Sequence, residues 1–246
     1  MNATLAMLLA LGAGLALVGG LAYWQLVVAE GAYLGRRVVV WLYDRYAPRY
    51  EVVKHFDPQF DHQMLAAPVV DHLNRSGLRR ARVLDVASGT GRFARAILAA
   101  PAFEGSVLAT DLSPRMLAIA THLLAPYAAR AETRLADAEA LGLPDAGFDV
   151  VACLEALEFM PHPTRALAEL QRVCAPGGLL VLSNRIGPDA WKMPGRTEST
   201  KAFVTRLSAL GLRNVRVLRW LVDYDLVLAT KPDAPATQQN APATPA

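Results

Sequence analysis

The sequence has few of the residues that indicate a metal centre or a disulfide framework. Only two of its 246 residues are cysteines, Cys153 and Cys174, and their spacing matches neither a CxxC pair nor a metal-ligand pattern. Both fall in predicted core elements, where a free thiol packs as a small apolar side chain. The sequence therefore predicts no metal site and a main domain in a reducing, cytoplasmic compartment.

An excess of charge of either sign is also missing. The formal net charge is only +3, and the arginines are scattered without forming a basic stripe. A nucleic-acid partner is therefore not expected, because such a partner requires a concentrated basic surface. No internal repeat is visible, which argues against a solenoid or a repeat array.

Charged side chains are absent from residues 3–29, ATLAMLLALGAGLALVGGLAYWQLVVA. A membrane-spanning helix needs about 20 apolar residues. A cleaved signal would have a basic segment before an apolar core of about 7–15 residues, but no lysine or arginine precedes this run. A buried or interfacial helix is the other alternative. The cations that follow predict a single-pass anchor in the cell membrane with the main domain cytoplasmic; they are Arg36, Arg37, Arg45, Arg49 and Lys54.

Composition divides the chain into four parts. Residues 1–30 form the anchor, and residues 31–62 form an amphipathic, aromatic connector that we expect to act as a lid. Residues 63–232 form the main domain. Residues 233–246 are rich in proline, alanine and threonine, which predicts a disordered tail.

Strand and helix patterns alternate along the main domain. Strands are predicted at 82–87, 106–110, 132–136, 148–153 and 179–184, and helices at 63–75, 92–100, 114–124, 163–173 and 197–210. This order is typical of right-handed βαβ units in a doubly wound, mostly parallel α/β sheet. The last two strand patterns, RNVRVLRW and DYDLVLATK, have no helix between them. They predict a hairpin that makes one strand near the edge antiparallel.

A strand, a tight turn and a helix start follow one another in RVLDVASGTGRFARAIL, residues 82–98. This arrangement seats the polar part of a nucleotide-like cofactor. A dinucleotide fingerprint tolerates Ala94 at its third glycine position, so the glycines do not identify the cofactor. Asp85 favours a ligand with an ammonium group and an adenosine end, and S-adenosylmethionine is such a ligand. An NAD(P)-dependent oxidoreductase is the disfavoured alternative.

Four segments occur in order: VLDVASGTGRFA, ATDLSPRML, LADAEALGLPDAGFDVV and RVCAPGGLLVLSNR. They resemble the successive motifs of class I S-adenosylmethionine-dependent methyltransferases. Within that class the chain is similar to the ubiquinone/menaquinone-biosynthesis C-methyltransferases. Its segment YDRYAPRY looks like the segment that precedes the domain in those proteins. The resemblance covers about residues 43–232 and implies a Rossmann-like sheet of seven strands. Ala87 replaces the first glycine of the family turn, and a histidine-rich signature after the fourth strand is absent.

The resemblance also implies a set of cofactor-binding residues. Asp85 would face the methionyl ammonium, Asp111 would accept the ribose hydroxyls, and Asp137 would bind the adenine amino group. Glycines allow a close backbone approach and positive φ angles, and leucines would supply apolar walls. The full set is Asp85, Ala87, Ser88, Gly89, Gly91, Asp111, Leu112, Asp137, Ala138, Leu154, Tyr43 and Tyr50.

The acceptor end is less specific. Glu155, Glu158 and His162 lie in CLEALEFMPHP, after the fourth predicted strand, and each is a candidate to accept a proton from the methyl acceptor. Acidic residues at a helix start and a surface histidine are the alternative interpretation. In the connector, Tyr46 and His55 accompany the two tyrosines of the predicted lid, with simple packing as the alternative.

The expected function is transfer of a methyl group to a small or lipid-like acceptor, a quinone-type molecule included. Membrane anchoring fits such an acceptor, because it places the enzyme where a lipid partitions. A different class of function, a non-catalytic S-adenosylmethionine-binding module on a membrane tether, has the same motifs. The sequence does not identify the acceptor or the atom that is methylated.

Overall fold

The computed structural model describes residues 2–233, so the predicted tail lies outside the described residues except for Asp233. The helices are α1 (Ala3–Tyr23), α2 (Arg36–Lys54), α3 (Pro58–Asp61), α4 (Ala67–Arg75), α5 (Arg92–Leu98), α6 (Pro114–Leu124), α7 (Pro163–Val173), α8 (Gly187–Trp191) and α9 (Thr200–Ala209). Wider π turns at Trp24–Val28 and His62–Ala66 continue α1 and join α3 to α4. Short 3₁₀ turns lie at Ala125–Tyr127 and Leu157–Phe159.

Seven strands form one sheet in the order β3-β2-β1-β4-β5-β7-β6. They are β1 (Arg82–Val86), β2 (Ser106–Asp111), β3 (Ala131–Leu135), β4 (Phe148–Cys153), β5 (Cys174–Arg185), β6 (Arg213–Leu221) and β7 (Tyr224–Thr230). Strand β7 pairs antiparallel with both β5 and β6, and all other pairs are parallel. The predicted fold, including the single antiparallel strand near the edge, is confirmed.

The direction of winding changes at β1, which pairs with β2 on one side and β4 on the other. Side chains along β1 alternate between the two faces of the sheet, because successive residues of a strand point in opposite directions. Val83 packs with the core beneath α4 and α5, and Leu84 packs with the core beneath α7 and α9. Open α/β sheets bind ligands at such a reversal, beyond the carboxyl ends of the strands.

Helix α2 occupies the segment whose pattern indicates a connector. It runs for 19 residues, contains Pro48, and has Ala47 as its single buried residue. Its pattern does not predict a helix clearly, because charged and aromatic side chains replace a continuous apolar stripe. Polar contacts hold it instead: Asp44 accepts a hydrogen bond from Ser113 Oγ at 2.6 Å, and Glu51 accepts one from Thr90 Oγ1 at 2.5 Å.

Helix α1 and the turn after it form an apolar segment of 26 residues, Ala3–Val28, with a mean hydropathy of 2.2. By length and composition it is the one helix within residues 2–233 that could cross a membrane. Its apolar side chains are largely exposed, as at Leu15 and Leu17. The domain therefore provides no core for this helix.

Gly105, ahead of β2, provides a test of this packing. A Cβ atom there would lie 2.0 Å from the Ala81 carbonyl oxygen, so the backbone between β1 and β2 would have to move. We expect Gly105→Ala to lower the free energy of unfolding by about 3 kcal/mol. Urea unfolding of the full chain in detergent measures this. Gly147→Ala is the control, because its Cβ would meet Pro144 at 3.2 Å or more; an equal loss in both variants would contradict the argument.

Candidate functional site

The turn after β1 is shaped by three residues with positive φ angles: Ala87 at 53°, Gly89 at 55° and Gly91 at 82°. The Ser88 N–H donates to the Thr110 carbonyl at 2.9 Å, which ties the turn to the end of β2. Glycine adopts this conformation freely, whereas a residue with a Cβ incurs about 1–2 kcal/mol of strain. Ala87 therefore holds a conformation that favours glycine, the residue that the resemblance implies at this position of the turn.

Asp111 fixes the same turn from the end of β2. Its Oδ2 accepts a hydrogen bond from Gly89 N at 2.8 Å, and its Oδ1 accepts one from Ser113 N at 2.8 Å. Burial raises the pKa of this carboxyl, and the N–H groups that donate to it oppose the rise. Asp111 thus stands between the glycine turn and the start of α6, where a ligand lying over the turn would meet its carboxylate.

Asp85 lies at the end of β1, below the turn. It is 2% exposed, and its Oδ2 accepts a hydrogen bond from Ala94 N at 3.1 Å. Desolvation raises the pKa of this carboxyl to about 7, while the Ala94 N–H lowers it. A cationic group brought near Asp85 would favour its ionised form.

Most of the predicted cofactor-binding residues line a single cavity. Of the predicted cofactor residues only Gly91 does not line it. The residues that do are Asp85, Ala87, Ser88, Gly89, Asp111, Leu112, Asp137, Ala138, Leu154, Tyr43 and Tyr50. Buried Ser88 Oγ has no hydrogen-bond partner within residues 2–233. An unsatisfied hydroxyl beside backbone N–H groups fits the carboxylate end of an amino-acid ligand, because buried polar atoms require partners.

At the predicted adenine end, a basic side chain from α2 covers the carboxylate. Arg36 pairs with Asp137, and its second nitrogen lies 3.2 Å from Glu139 Oε2. The Arg36 guanidinium thus supplies the donors that the adenine amino group would offer to Asp137. A cofactor bound in the predicted orientation would replace this contact with an equivalent one.

Glu155 is the predicted catalytic residue that reaches the cavity. Its backbone has a φ of 51°, and its N–H donates to Ser183 Oγ at 2.6 Å. Its carboxylate pairs with Arg92 at 3.0 Å and with Lys54 at 2.8 Å. A non-glycine residue with positive φ is sparsely populated unless its surroundings enforce it, and such strain concentrates at functional sites.

The other two candidates lie elsewhere. Glu158 is buried, accepts a hydrogen bond from Tyr224 Oη, and lies 3.6 Å from Arg185. His162 is exposed, and its backbone N–H donates to Glu139 Oε1 at 2.8 Å. Glu155 and Glu158 do not share a helical face, because Glu158 lies within the short 3₁₀ turn and Glu155 precedes that turn with a positive φ angle.

Two tyrosines of α2 close the cavity. Burial raises the pKa of Tyr43 and of Tyr50, and nearby carboxylates add to both shifts. Both phenols are therefore neutral at physiological pH and available as hydrogen-bond donors; Tyr43 donates to Glu30 Oε2 at 2.8 Å. Tyr46 does not line this cavity, and exposed His55 ends α2 with a φ of 45°.

Sequence reasoning missed Arg92 as a site residue. It is bonded to Asp61 at 2.6 Å and lies over the rings of Phe56 and Trp220, at 4.4 and 4.8 Å from their centroids. The sequence signal that could have identified Arg92 is its position, because it begins a helix directly after the glycine turn. Its partners are 31 to 128 residues distant in sequence, so no local pattern could identify them.

Acidic and histidine side chains do not converge on a metal site here. Within residues 2–233, no group of three or more histidine, cysteine, aspartate or glutamate side chains is arranged to hold a metal ion. Both cysteines are buried and unpaired.

Residues 84–182 match the family model described as a methyltransferase domain. The ubiquinone/menaquinone biosynthesis C-methyltransferase of Ralstonia pickettii is 40% identical over 140 residues, which are 57% of this chain and 52% of that protein. The protein of the same name from Bordetella avium is 36% identical over 137 residues, 55% of this chain and 52% of its own. The matched region thus spans about half the length of these relatives.

Solved structures with low sequence identity share the fold. The [4+2]-cyclase SpnF has a TM-score of 0.63 and 20% identity, covering 81% of this chain and 97% of its own. A SAM-dependent methyltransferase from Aquifex aeolicus has a TM-score of 0.52 and 22% identity, covering 71% and 98%. At these identities the likeness concerns the fold alone.

Replacing Asp111 tests its place in the cofactor site. We expect Asp111→Ala to weaken S-adenosylmethionine binding by about 2 kcal/mol, roughly 30-fold, because ribose hydroxyls would lose a charged acceptor. Calorimetry on the full chain in detergent measures the affinity. Asp145→Ala is the matched control, because Asp145 is exposed and outside the cavity. Unchanged affinity with a lower melting temperature would show that Asp111 only holds the turn.

The raised pKa of Asp85 predicts a pH dependence of stability. Between pH 3.8 and about 7, folded Asp85 keeps a proton that the unfolded chain has released. The free energy of unfolding therefore falls as pH rises through this window, by up to about 1.4 kcal/mol per pH unit. Asp85→Asn removes the titration, so its stability relative to wild type should rise from pH 5 to 7 in urea unfolding. A constant difference would contradict the assignment.

The order of the sequence motifs, the topology of the sheet and the matched domain all indicate the same kind of site. The carboxylates predicted to hold the cofactor line one cavity at the carboxyl edge of the sheet. The methyltransferase domain that this region matches supports S-adenosylmethionine as that cofactor. Residues 84–182 match a methyltransferase domain, and the chain resembles the class I S-adenosylmethionine-dependent methyltransferases of the ubiquinone/menaquinone C-methyltransferase branch.

Proposed function

We propose that the protein is a membrane-anchored methyltransferase that transfers the methyl group of S-adenosylmethionine to a lipid-like acceptor, a quinone precursor being one such molecule. The observation that carries this proposal is the placement of the cofactor cavity. Helix α2, which covers that cavity, is separated from the apolar segment by residues 29–35 alone. The relatives' names, which refer to ubiquinone and menaquinone biosynthesis, support an acceptor of this class.

The chemistry requires alignment more than it requires reactive side chains. The sulfonium of the cofactor supplies an activated methyl group, and transfer needs the acceptor atom in line with it in a dry pocket. Tyr43, Tyr50 and Phe159 contribute aromatic walls to the cavity. The Tyr43 ring lies 5.9 Å from that of Phe159 and 6.5 Å from that of Tyr50, so the three rings form one aromatic cluster at the cavity.

A base is needed only where the acceptor atom carries a proton, as in a phenol, an enol or a carbon acid. We assign this role to Glu155, because it is the one of the three candidate residues that lines the cavity. Its contacts with Arg92 and Lys54 hold it in position. Lys54 is the more exposed of the two cations and is the contact that an acceptor would displace.

The charge distribution supports an orientation with the domain in the cytoplasm. Arg37, Arg45 and Arg49 follow the apolar segment and are exposed on α2. Cations close to one end of a spanning helix favour the cytoplasmic side. They would also attract anionic headgroups at that surface.

Transfer of a labelled methyl group tests the proposed function. Full-length protein in vesicles of total bacterial lipid should transfer the label from S-adenosylmethionine to an organic-extractable product, which mass spectrometry then identifies. A variant that begins at Tyr23 removes most of α1 but keeps Trp24 and Tyr33, which contact the domain. It should retain cofactor affinity and lose about tenfold of the transfer to membrane-borne acceptor.

Three results would contradict separate parts of this proposal. Cofactor binding without transfer to any lipid or small-molecule fraction would favour a non-catalytic binding module. Full-length protein that leaves membranes on washing with carbonate would contradict the anchor. Equal transfer by the shortened variant would contradict the link between anchoring and acceptor.

A further inference from the structure

A second cavity adjoins the cofactor cavity and lies where the apolar segment meets the domain. Its volume is about 570 Å³. Four residues line both cavities, so the two are adjacent and these side chains separate them; they are Tyr43, Tyr50, Glu155 and Phe159. A molecule in the second cavity would therefore reach the cofactor past these four side chains.

One wall of the second cavity comes from the end of the apolar segment itself. Leu26 and Val27, in the π turn that continues α1, line it together with Val53 of α2. Leu221, in the strand that precedes the β6–β7 turn, lines it from the domain side. These side chains give the cavity an apolar side, formed partly by a segment of membrane-spanning composition, while Glu30, Lys54 and Asp223 also line it.

The apolar segment is docked firmly at this point. Trp24 Nε1 donates to the Lys192 carbonyl at 3.0 Å, and Tyr33 Oη donates to the Pro194 carbonyl at 2.7 Å. The rings of Trp24 and Tyr33 lie 5.1 Å apart, and Ala29 and Ala32 are fully buried. Leu26 and Val27 therefore belong to a fixed wall and not to a flexible tether.

The inner part of the cavity is polar. Arg185 lines it, and its Nε is buried without a hydrogen-bond partner within residues 2–233. Buried Glu158 lies 3.6 Å from this guanidinium and also accepts a hydrogen bond from Tyr224, which lines the same cavity. A buried cationic group with an unused donor favours an oxygen-bearing ligand.

Exposed apolar side chains surround the same end of the domain. Trp191 at the end of α8 is 82% exposed, and Val222 in the β6–β7 turn is 86% exposed. The Ile186 N–H donates to the Asp223 carbonyl at 2.8 Å, which joins the two loops beside the cavity. Tryptophan and apolar residues at loop tips are typical of surfaces that contact the membrane interface.

We propose that the second cavity holds the methyl acceptor, and that the last turn of the apolar segment is part of the acceptor-binding site. This inference rests on the proposed function. The acceptor is an amphipathic molecule whose oxygen-bearing head lies near Arg185 and Glu155 and whose apolar tail lies along Leu26, Val27 and Val53. The acceptor enters the second cavity laterally from the bilayer, and the last turn of the anchor lines its route.

Two pairs of tryptophan substitutions test this site. Leu26→Trp fills the cavity from the apolar segment, and Val53→Trp fills it from α2. Leu21→Trp and Val52→Trp are matched controls, because Leu21 and Val52 are exposed and do not line it. Each full-length variant is placed in vesicles of total bacterial lipid, and both affinity for S-adenosylmethionine and transfer of labelled methyl to the organic-extractable product are measured.

We expect the two cavity variants to lose about tenfold or more of the transfer. The two controls should stay within about twofold of wild type, and all four should keep their cofactor affinity. Retained cofactor affinity also shows that a variant is folded, and either cavity variant suffices if the other does not fold. Provided that the wild type transfers the methyl group, two outcomes would overturn this inference. One is equal transfer by the cavity variants and the control variants, and the other is loss of cofactor affinity in both cavity variants. Absence of transfer by wild type would overturn the proposed function and this inference with it.

Discussion

The structure of the site depends on a carboxylate that joins three elements. Asp111 ends β2, accepts the Gly89 N–H of the turn after β1, and accepts the Ser113 N–H at the start of α6. Ser113 in turn donates its hydroxyl to Asp44 of α2. A chain of hydrogen bonds thus runs from the sheet through the glycine turn to the covering helix. Movement of any one of these elements would alter the cavity that all of them line.

Short-range patterns predicted most of the sheet, because strands buried on both faces require apolar runs and turns require small residues. They also predicted Asp85, Asp111 and Asp137, since each lies within two residues of the carboxyl end of a strand. Helix α2 escaped prediction because its stabilising partners are far away in sequence. Arg36 meets Glu139 across 103 residues, which periodicity cannot reveal.

The acceptor end was predicted less well for a related reason. Glu155 and Glu158 are three residues apart, which would place them together on a helix. The chain instead takes a positive φ at Glu155 and then a single 3₁₀ turn, so one carboxylate enters the cavity and the other is buried against Tyr224. Helical spacing indicates proximity only where a helix forms, and tertiary contacts decided that question here.

Docking of the apolar segment through Trp24 and Tyr33 has a kinetic consequence. If the apolar segment spans the membrane as proposed, a domain held at a fixed angle to it cannot tumble, so its cavity would keep one orientation toward the lipid. An encounter with a membrane-borne partner then becomes a search within a plane. Its rate would follow the surface density of that partner, so dilution of the bilayer with inert lipid would slow turnover even at constant total acceptor.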